Sequence, residues 1–111
     1  LDSVHTRQIL EKLAKSHKIP MVSAAVGGST GHITTIFTED PGLKLIYGDQ
    51  VDPSLKGAAA SLGSLPQAVT LLSSLESSEV LKILLKKGAV SRNKLIVVDL
   101  QDNIFDVLQL A

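Results

Sequence analysis

Hydrophobic residues recur three or four positions apart in two stretches of the chain, which is the spacing of an amphipathic helix. The first stretch covers residues 3–18, with Asp2 or Ser3 placed to cap its N-terminus. The second covers residues 64–87 and opens with a capping-box pattern in which Ser64 is the N-cap. The pattern therefore predicts two main helices.

Shorter segments rich in β-branched and apolar residues predict strands, joined by turns that contain glycine, proline or asparagine. The last two strands predict a C-terminal β-hairpin, and the other short connections also favour antiparallel pairing. Residues 48–62 have no clear period and are predicted to form an irregular crossing loop. We expect an α/β fold in which two helices cover the mixed half of a sheet. The predicted strands are residues 20–26, 32–38, 43–47, 94–100 and 104–110.

Composition narrows the classes of function. The chain has 111 residues, of which 44% are hydrophobic and 20% charged, so it can form a core and is not a disordered segment. Its 11 basic and 11 acidic residues cancel, and only 3% of residues are aromatic. We therefore expect no nucleic-acid partner and no membrane partner, since neither a positive surface nor a base-stacking platform nor a long apolar run is present in the sequence.

The sequence contains no cysteine. This excludes disulfides, thiolate-bound zinc, iron–sulfur clusters and cysteine nucleophiles within the chain. The absence is typical of a reducing compartment, and we expect a soluble, cytoplasmic protein. Because the chain begins at Leu1, we also expect it to be a piece of a longer protein.

Two features that suggest chemistry have simpler interpretations. The segment 27–31 (GGSTG) lacks the glycine spacing and the lysine of a phosphate loop, and a strand rather than a helix follows it. We interpret it as a hairpin turn in which glycine supplies positive φ. His5, His17 and His32 lie in different elements without metal-binding spacing, and we interpret them as surface or helix-end residues.

Asp2 is the candidate for chemistry. It directly precedes a predicted helix, at what would be the carboxyl end of a strand upstream of residue 1. In open α/β sheets the ligand crevice lies at that end, where a carboxylate can hold Mg²⁺ against the phosphates of a nucleotide. The alternative is that Asp2 is a plain N-cap.

Several segments in order resemble the ThiF/MoeB/HesA family, the bacterial relatives of ubiquitin-activating enzymes. The resemblance is to the C-terminal half of that family's activating domain, and it covers nearly all of residues 1–111. Its fold is Rossmann-like, with two main helices and a closing hairpin in this half. The matching segments are residues 1–3 (LDS), 19–26 (IPMVSAAV), 31–37 (GHITTIF), 72–82 (LSSLESSEVLK) and 94–110 (KLIVVDLQDNIFDVLQL).

The resemblance implies an ATP-dependent adenylyltransferase that activates the C-terminal glycine of a ubiquitin-like protein, in bacteria a sulfur carrier of the ThiS or MoaD type. It places ATP on a glycine-rich half upstream of residue 1, so we expect no cofactor on the isolated chain. Asp2 matches the family's aspartate for Mg–ATP, which makes it the expected catalytic and cofactor-binding residue. The relatives act as dimers, and we expect a homodimer here.

This sequence departs from the family at its cysteines. Gly42 and Leu45 stand where many members carry the first zinc-binding cysteine pair, so we expect no zinc. Ala58-Ala59-Ala60 stands near a cysteine that some members use in thioester or persulfide steps. These departures favour adenylation without covalent capture. They leave open a non-catalytic protein-binding or dimerisation module of the same fold, whereas a dinucleotide-binding redox domain is disfavoured because its glycine fingerprint is missing.

Overall fold

The computed structural model describes residues 3–48 and 63–111. The described part has an α/β fold in which three helices accompany a four-stranded sheet of order β1-β2-β3-β4. Within it, no helix is both long and apolar enough to cross a membrane. The elements are α1 (Val4–Ser16), β1 (Met21–Gly27), β2 (Thr30–Ile36), α2 (Lys44–Tyr47), α3 (Pro66–Leu85), β3 (Lys94–Asp99) and β4 (Ile104–Gln109).

All three strand pairs are antiparallel. The short turns predict this for β1–β2 and for β3–β4, whereas β2 and β3 pair across the long segment that contains α2 and α3. The glycine-rich segment is confirmed as a hairpin turn, because Gly27 pairs with Thr30 and Gly28 adopts a φ of 59° in the two-residue loop. The predicted C-terminal hairpin is also confirmed, with Asp99 paired to Ile104. Parallel pairing among the described residues consists of isolated bridges, one between Gly28 and Ser64 and one between Thr35 and Arg92.

The two faces of the sheet pack against different helices, because side chains alternate between faces along a strand. On one face, Ile33 and Val98 pack against Leu72 of α3. Gly31 permits this close approach, since a Cβ atom there would lie 2.7 Å from a Leu72 methyl carbon. The opposite face carries a second cluster formed by Met21, Ile36 and Leu43, with Ala14 of α1 and Tyr47 of α2 packed against it.

The strand predicted for residues 43–47 is wrong, since Lys44–Tyr47 form the short helix α2. The physical reason is the turn before it. Gly42 has a φ of 76°, and the Leu43 N–H donates a 2.8 Å hydrogen bond to Glu11 Oε2 on α1. This contact draws the chain out of the sheet and towards α1, so it cannot continue as a further strand.

The two main helices, α1 and α3, begin with different kinds of N-cap residue. Ser3 is the N-cap of α1, and its hydroxyl accepts a hydrogen bond from the Thr6 N–H at 3.4 Å. The prediction that Ser64 caps the second helix is wrong, because Leu65 is the N-cap and Pro66 occupies the first turn. Ser64 is instead held by its bridge to Gly28. The predicted crossing loop lies outside the described residues from position 49 to 62.

Asp40 joins the turn after β2 to the entry of β3. Its buried carboxylate accepts a 2.9 Å hydrogen bond from the Phe37 N–H and 2.9 Å bonds from Arg92 Nε. The Arg92 guanidinium also lies 4.5 Å from the centre of the Phe37 ring. Burial raises the pKa of Asp40, but the hydrogen bonds from Arg92 and Phe37 and the charges of Arg92 and Lys15 outweigh it, so the pKa is lowered.

We expect Gly42→Ala to destabilise the protein more than Gly48→Ala. Both glycines have positive φ, 76° and 87°, which costs a side chain about 1–2 kcal/mol. At Gly42 the added Cβ would also overlap the Glu11 carboxylate, whereas at Gly48 no atom of the described residues lies within 4 Å. The free energy of unfolding, measured with denaturant, gives the comparison. Equal losses in the two variants would show that the contact with Glu11 does not hold the turn.

We expect Asp40→Asn to cost about 1.5–3 kcal/mol at pH 7, the usual range for hydrogen bonds to a charged group. Because the folded-state pKa of Asp40 is lowered, this stabilisation is present above the unfolded value of about 3.9. It is lost as the pH falls through the folded-state value, so the variant should converge on the wild type in acid. Glu39→Gln is the control, because the Glu39 side chain is 77% exposed and its contact with Arg92 contributes about 0–1 kcal/mol. A constant difference at all pH values would contradict this account.

Candidate functional site

The predicted site residue Asp2 lies outside the described residues, but the structure describes the chain from the next position onward. Ser3 adopts an extended conformation, with φ −98° and ψ 133°, and α1 begins at Val4. Ser3 rather than Asp2 is therefore the N-cap. The sequence places Asp2 just before this cap, beside a helix N-terminus whose partial positive charge favours anions.

A chain of polar side chains lies close to this end of α1. Arg7 Nη1 donates to the Tyr47 hydroxyl at 3.3 Å, and that hydroxyl lies 3.4 Å from His32 Nε2. Gln8 Nε2 adds a 3.4 Å contact to the Gly48 carbonyl oxygen, which links α1 to the end of α2. Three elements, α1, β2 and α2, therefore meet at one polar cluster, which we call the Arg7–Tyr47–His32 chain.

The chemistry of the three groups fixes the direction of these hydrogen bonds. A guanidinium only donates, so the Tyr47 oxygen accepts from Arg7 and its own proton is available to His32 Nε2. We assign to His32 the neutral tautomer with its proton on Nδ1, on the basis of this network. Burial lowers the pKa of His32 from its ordinary value of 6.5, and the positive charge of Arg7 lowers it further. The imidazole is accordingly neutral at pH 7.

Two groups of the Arg7–Tyr47–His32 chain could each make a further interaction: His32 a hydrogen bond and Arg7 an ion pair. His32 Nδ1 is buried, and within the described part of the protein no hydrogen-bond partner reaches it. Leaving such a group unpaired costs roughly 1–3 kcal/mol. The ion pairs found among residues 3–48 and 63–111 involve Lys15, Lys82 and Arg92, so none of them uses the Arg7 guanidinium. A buried polar group without a partner calls for an explanation, and a functional role is one that recurs in proteins.

Sequence reasoning missed this cluster. It interpreted His32 as a surface or helix-end residue, whereas the structure places it half-buried in β2. No local signal could have found the chain, because Arg7 and Tyr47 are 40 positions apart and His32 and Tyr47 are 15 apart. The one family-derived candidate, Asp2, precedes the N-cap of α1 in the sequence, five positions before Arg7.

The positions expected to lack zinc contain no metal donor in their side chains. Gly42 is buried in the turn after β2, and Leu45 lies 38% exposed in α2. Across the described ranges there is no group of three or more His, Cys, Asp or Glu side chains placed to hold a metal ion. Ala58-Ala59-Ala60, the counterpart of the family's loop cysteine, lies outside the described residues.

A shallow groove of about 700 Å³ runs along α1 beside the Pro41 turn. Its charged groups are largely engaged within the fold: Glu11 accepts from the Leu43 N–H, and Lys15 donates to the Asp40 carbonyl oxygen at 2.5 Å. A buried polar group without a partner among the described residues lies instead at His32, and we place the candidate site at the Arg7–Tyr47–His32 chain.

Comparison with known proteins agrees with the fold. The SAMP-activating enzyme E1 of Haloferax volcanii is 23% identical over 107 residues, which cover 96% of this chain and 40% of that protein. The crystal structure of selenomethionine PaaA superimposes with a TM-score of 0.69 at 13% identity, again over 96% of this chain and 40% of the other. This chain thus spans about two fifths of the length of both proteins. The ThiF family matches residues 1–111, the full length of the sequence, and the chain belongs to that family.

Proposed function

We propose that this chain is part of an ATP-dependent enzyme that activates the C-terminus of a ubiquitin-like protein. The observation that carries the proposal is the match to the ThiF family over residues 1–111. The relative from Haloferax volcanii is named as an activating enzyme, which agrees with it. The partner that we propose is a sulfur carrier of the ThiS or MoaD type, and we propose a cytoplasmic location, where ATP is available.

The donor set at the start of α1 suits a magnesium-bound nucleotide. Asp2 supplies a carboxylate, the ligand type that Mg²⁺ prefers, and it lies next to the N-cap of α1. Arg7 supplies a cation one helical turn further on, where negative charge on a substrate would be stabilised. Bound Mg–ATP would supply the adenylyl group, its metal ion would offset the charge of the phosphates, and this chain's residues would orient the nucleotide. The glycine-rich half that completes the ATP site is expected outside these residues.

The reaction that we propose stops at adenylation on this chain. With no cysteine in the sequence, no thioester or persulfide can form on its side chains. The carboxylate of the partner would attack the α-phosphate of ATP and pyrophosphate would leave, so that the reverse reaction is measurable as ATP–pyrophosphate exchange. Asp2 would hold the metal ion where charge moves from the α-phosphate to the leaving group.

A second candidate function is a non-catalytic protein-binding or dimerisation module. It is favoured by the two outer strands of the sheet, β1 and β4, each of which pairs with one neighbour in the described part of the chain. The β4 side chains Phe105 and Val107 are 59% and 51% exposed. Exposed apolar strand edges commonly pair with other chains. We propose that the protein forms a homodimer in either case.

In the intact protein we expect Asp2→Asn to lower ATP–pyrophosphate exchange about 100- to 1,000-fold, the usual effect of removing an electrostatic contact to a transition state. The melting temperature should hardly change, because Ser3 and not Asp2 caps α1. Ser3→Ala is the matched control, with a loss of about 0.5–2 kcal/mol of stability and with exchange retained. Exchange near the wild-type rate in Asp2→Asn, at saturating partner and Mg–ATP, would contradict the assigned role.

We expect light scattering to report a dimer for the 111-residue chain at high concentration. Phe105→Lys should weaken association if the β4 edge forms the interface, whereas Leu84→Lys on α3, where Leu84 is 72% exposed, should not. Association that persists in Phe105→Lys would exclude the β4 edge as the interface and would leave the segment around residues 20–38 as the next candidate. A monomeric mass at every concentration would overturn the proposed dimer.

A further inference from the structure

We infer that Tyr47 and His32 are positioning residues that orient the Arg7 guanidinium towards a pair of anionic oxygens on a substrate. This inference rests on the proposed activation reaction. It adds a specific role for three residues other than Asp2, the proposed metal ligand. The oxygens belong either to the phosphates of the nucleotide or to the C-terminal carboxylate of the partner. Both have the planar or forked geometry that a guanidinium binds with two parallel hydrogen bonds.

Arg7 is held by an uncharged group. Its contact in the described structure is the Tyr47 hydroxyl at 3.3 Å. A guanidinium has five N–H donors, and one bond to a hydroxyl leaves most of them available. Since Tyr47 carries no negative charge, it fixes the direction of the guanidinium without neutralising it.

Tyr47 is itself fixed on both sides. Its ring packs against the core cluster of Met21, Ile36 and Leu43, and its hydroxyl lies 3.4 Å from His32 Nε2. The imidazole and phenol rings meet at an angle of 53° with centroids 6.3 Å apart. A neutral His32 accepts from Tyr47 and so leaves the hydroxyl oxygen free to accept from Arg7.

The imidazole of His32 carries a free-energy cost. Burying a neutral histidine with an unpaired Nδ1 is unfavourable, and an aliphatic residue in β2 would avoid that cost. A role in holding Tyr47, and through it Arg7, accounts for the imidazole. Arg7 lies one helical turn after the N-cap Ser3, at the end of α1 whose partial positive charge favours anions.

The test uses steady-state ATP–pyrophosphate exchange by the intact protein, with separate titrations of Mg–ATP and of a ubiquitin-like partner. We expect Tyr47→Phe to raise the KM for one of the two by about 3- to 10-fold, the loss of one hydrogen bond, with kcat little changed. A raised KM for ATP assigns the oxygens to phosphate, and a raised KM for the partner assigns them to its carboxylate. His32→Leu should raise the same KM. His32→Gln, which keeps a hydrogen-bond acceptor, should raise it less.

Ile46→Val is the matched control, because Ile46 packs in the same core cluster and its shortening leaves the polar chain intact. It should change stability and neither KM. A readout independent of activity is the NMR titration of His32: Arg7→Gln should raise the pKa of His32 by removing the nearby charge, whereas Lys12→Gln on the exposed side of α1 should not.

The outcomes separate the inference from the function on which it rests. Wild-type protein without exchange would overturn the proposed function. Two results would overturn the positioning role alone. One is exchange by the wild type together with unchanged KM values in Tyr47→Phe and His32→Leu. The other is a pKa of His32 that does not change in Arg7→Gln.

Discussion

The carboxylate of Asp40 is buried where the chain leaves the sheet, and the groups around it stabilise its ionised form. Arg92 approaches from the entry to β3, the Phe37 N–H comes from the end of β2, and Lys15 of α1 binds the Asp40 carbonyl oxygen. The three segments are thereby joined at one point. The chain then turns at Gly42 and enters α2, which brings Tyr47 to His32 and Arg7. The candidate site thus depends on an ion pair that takes no part in its chemistry.

Local patterns in the sequence were enough to predict the elements whose causes are themselves local. α1 follows from helical spacing and a hydroxyl N-cap, and the two hairpins follow from β-branched runs separated by turn residues. Residues 43–47 were predicted incorrectly because their conformation is set by Glu11, 32 positions away from Leu43. Ser64 was predicted incorrectly because a bridge to Gly28 competes with capping.

The candidate site likewise has one part that local sequence could predict and one part that depends on distant contacts. Asp2 was proposed from its place before a helix and from the family resemblance, and the described N-cap at Ser3 is compatible with that place. The Arg7–Tyr47–His32 chain could not be predicted, since single residues on three elements carry no spacing that a sequence pattern detects. Folding brings these residues together, and the resulting electrostatics become visible only then, in the lowered pKa of His32.

The central claim is that this member of the ThiF family takes part in activating the C-terminus of a ubiquitin-like protein. It is tested most directly by ATP–pyrophosphate exchange in the intact wild-type protein, with a sulfur-carrier partner that has either a free or an amidated C-terminal glycine. The account predicts incorporation of labelled pyrophosphate into ATP with the free carboxylate and none with the amide. Exchange that is equal with the two partners, or absent with both, would contradict it.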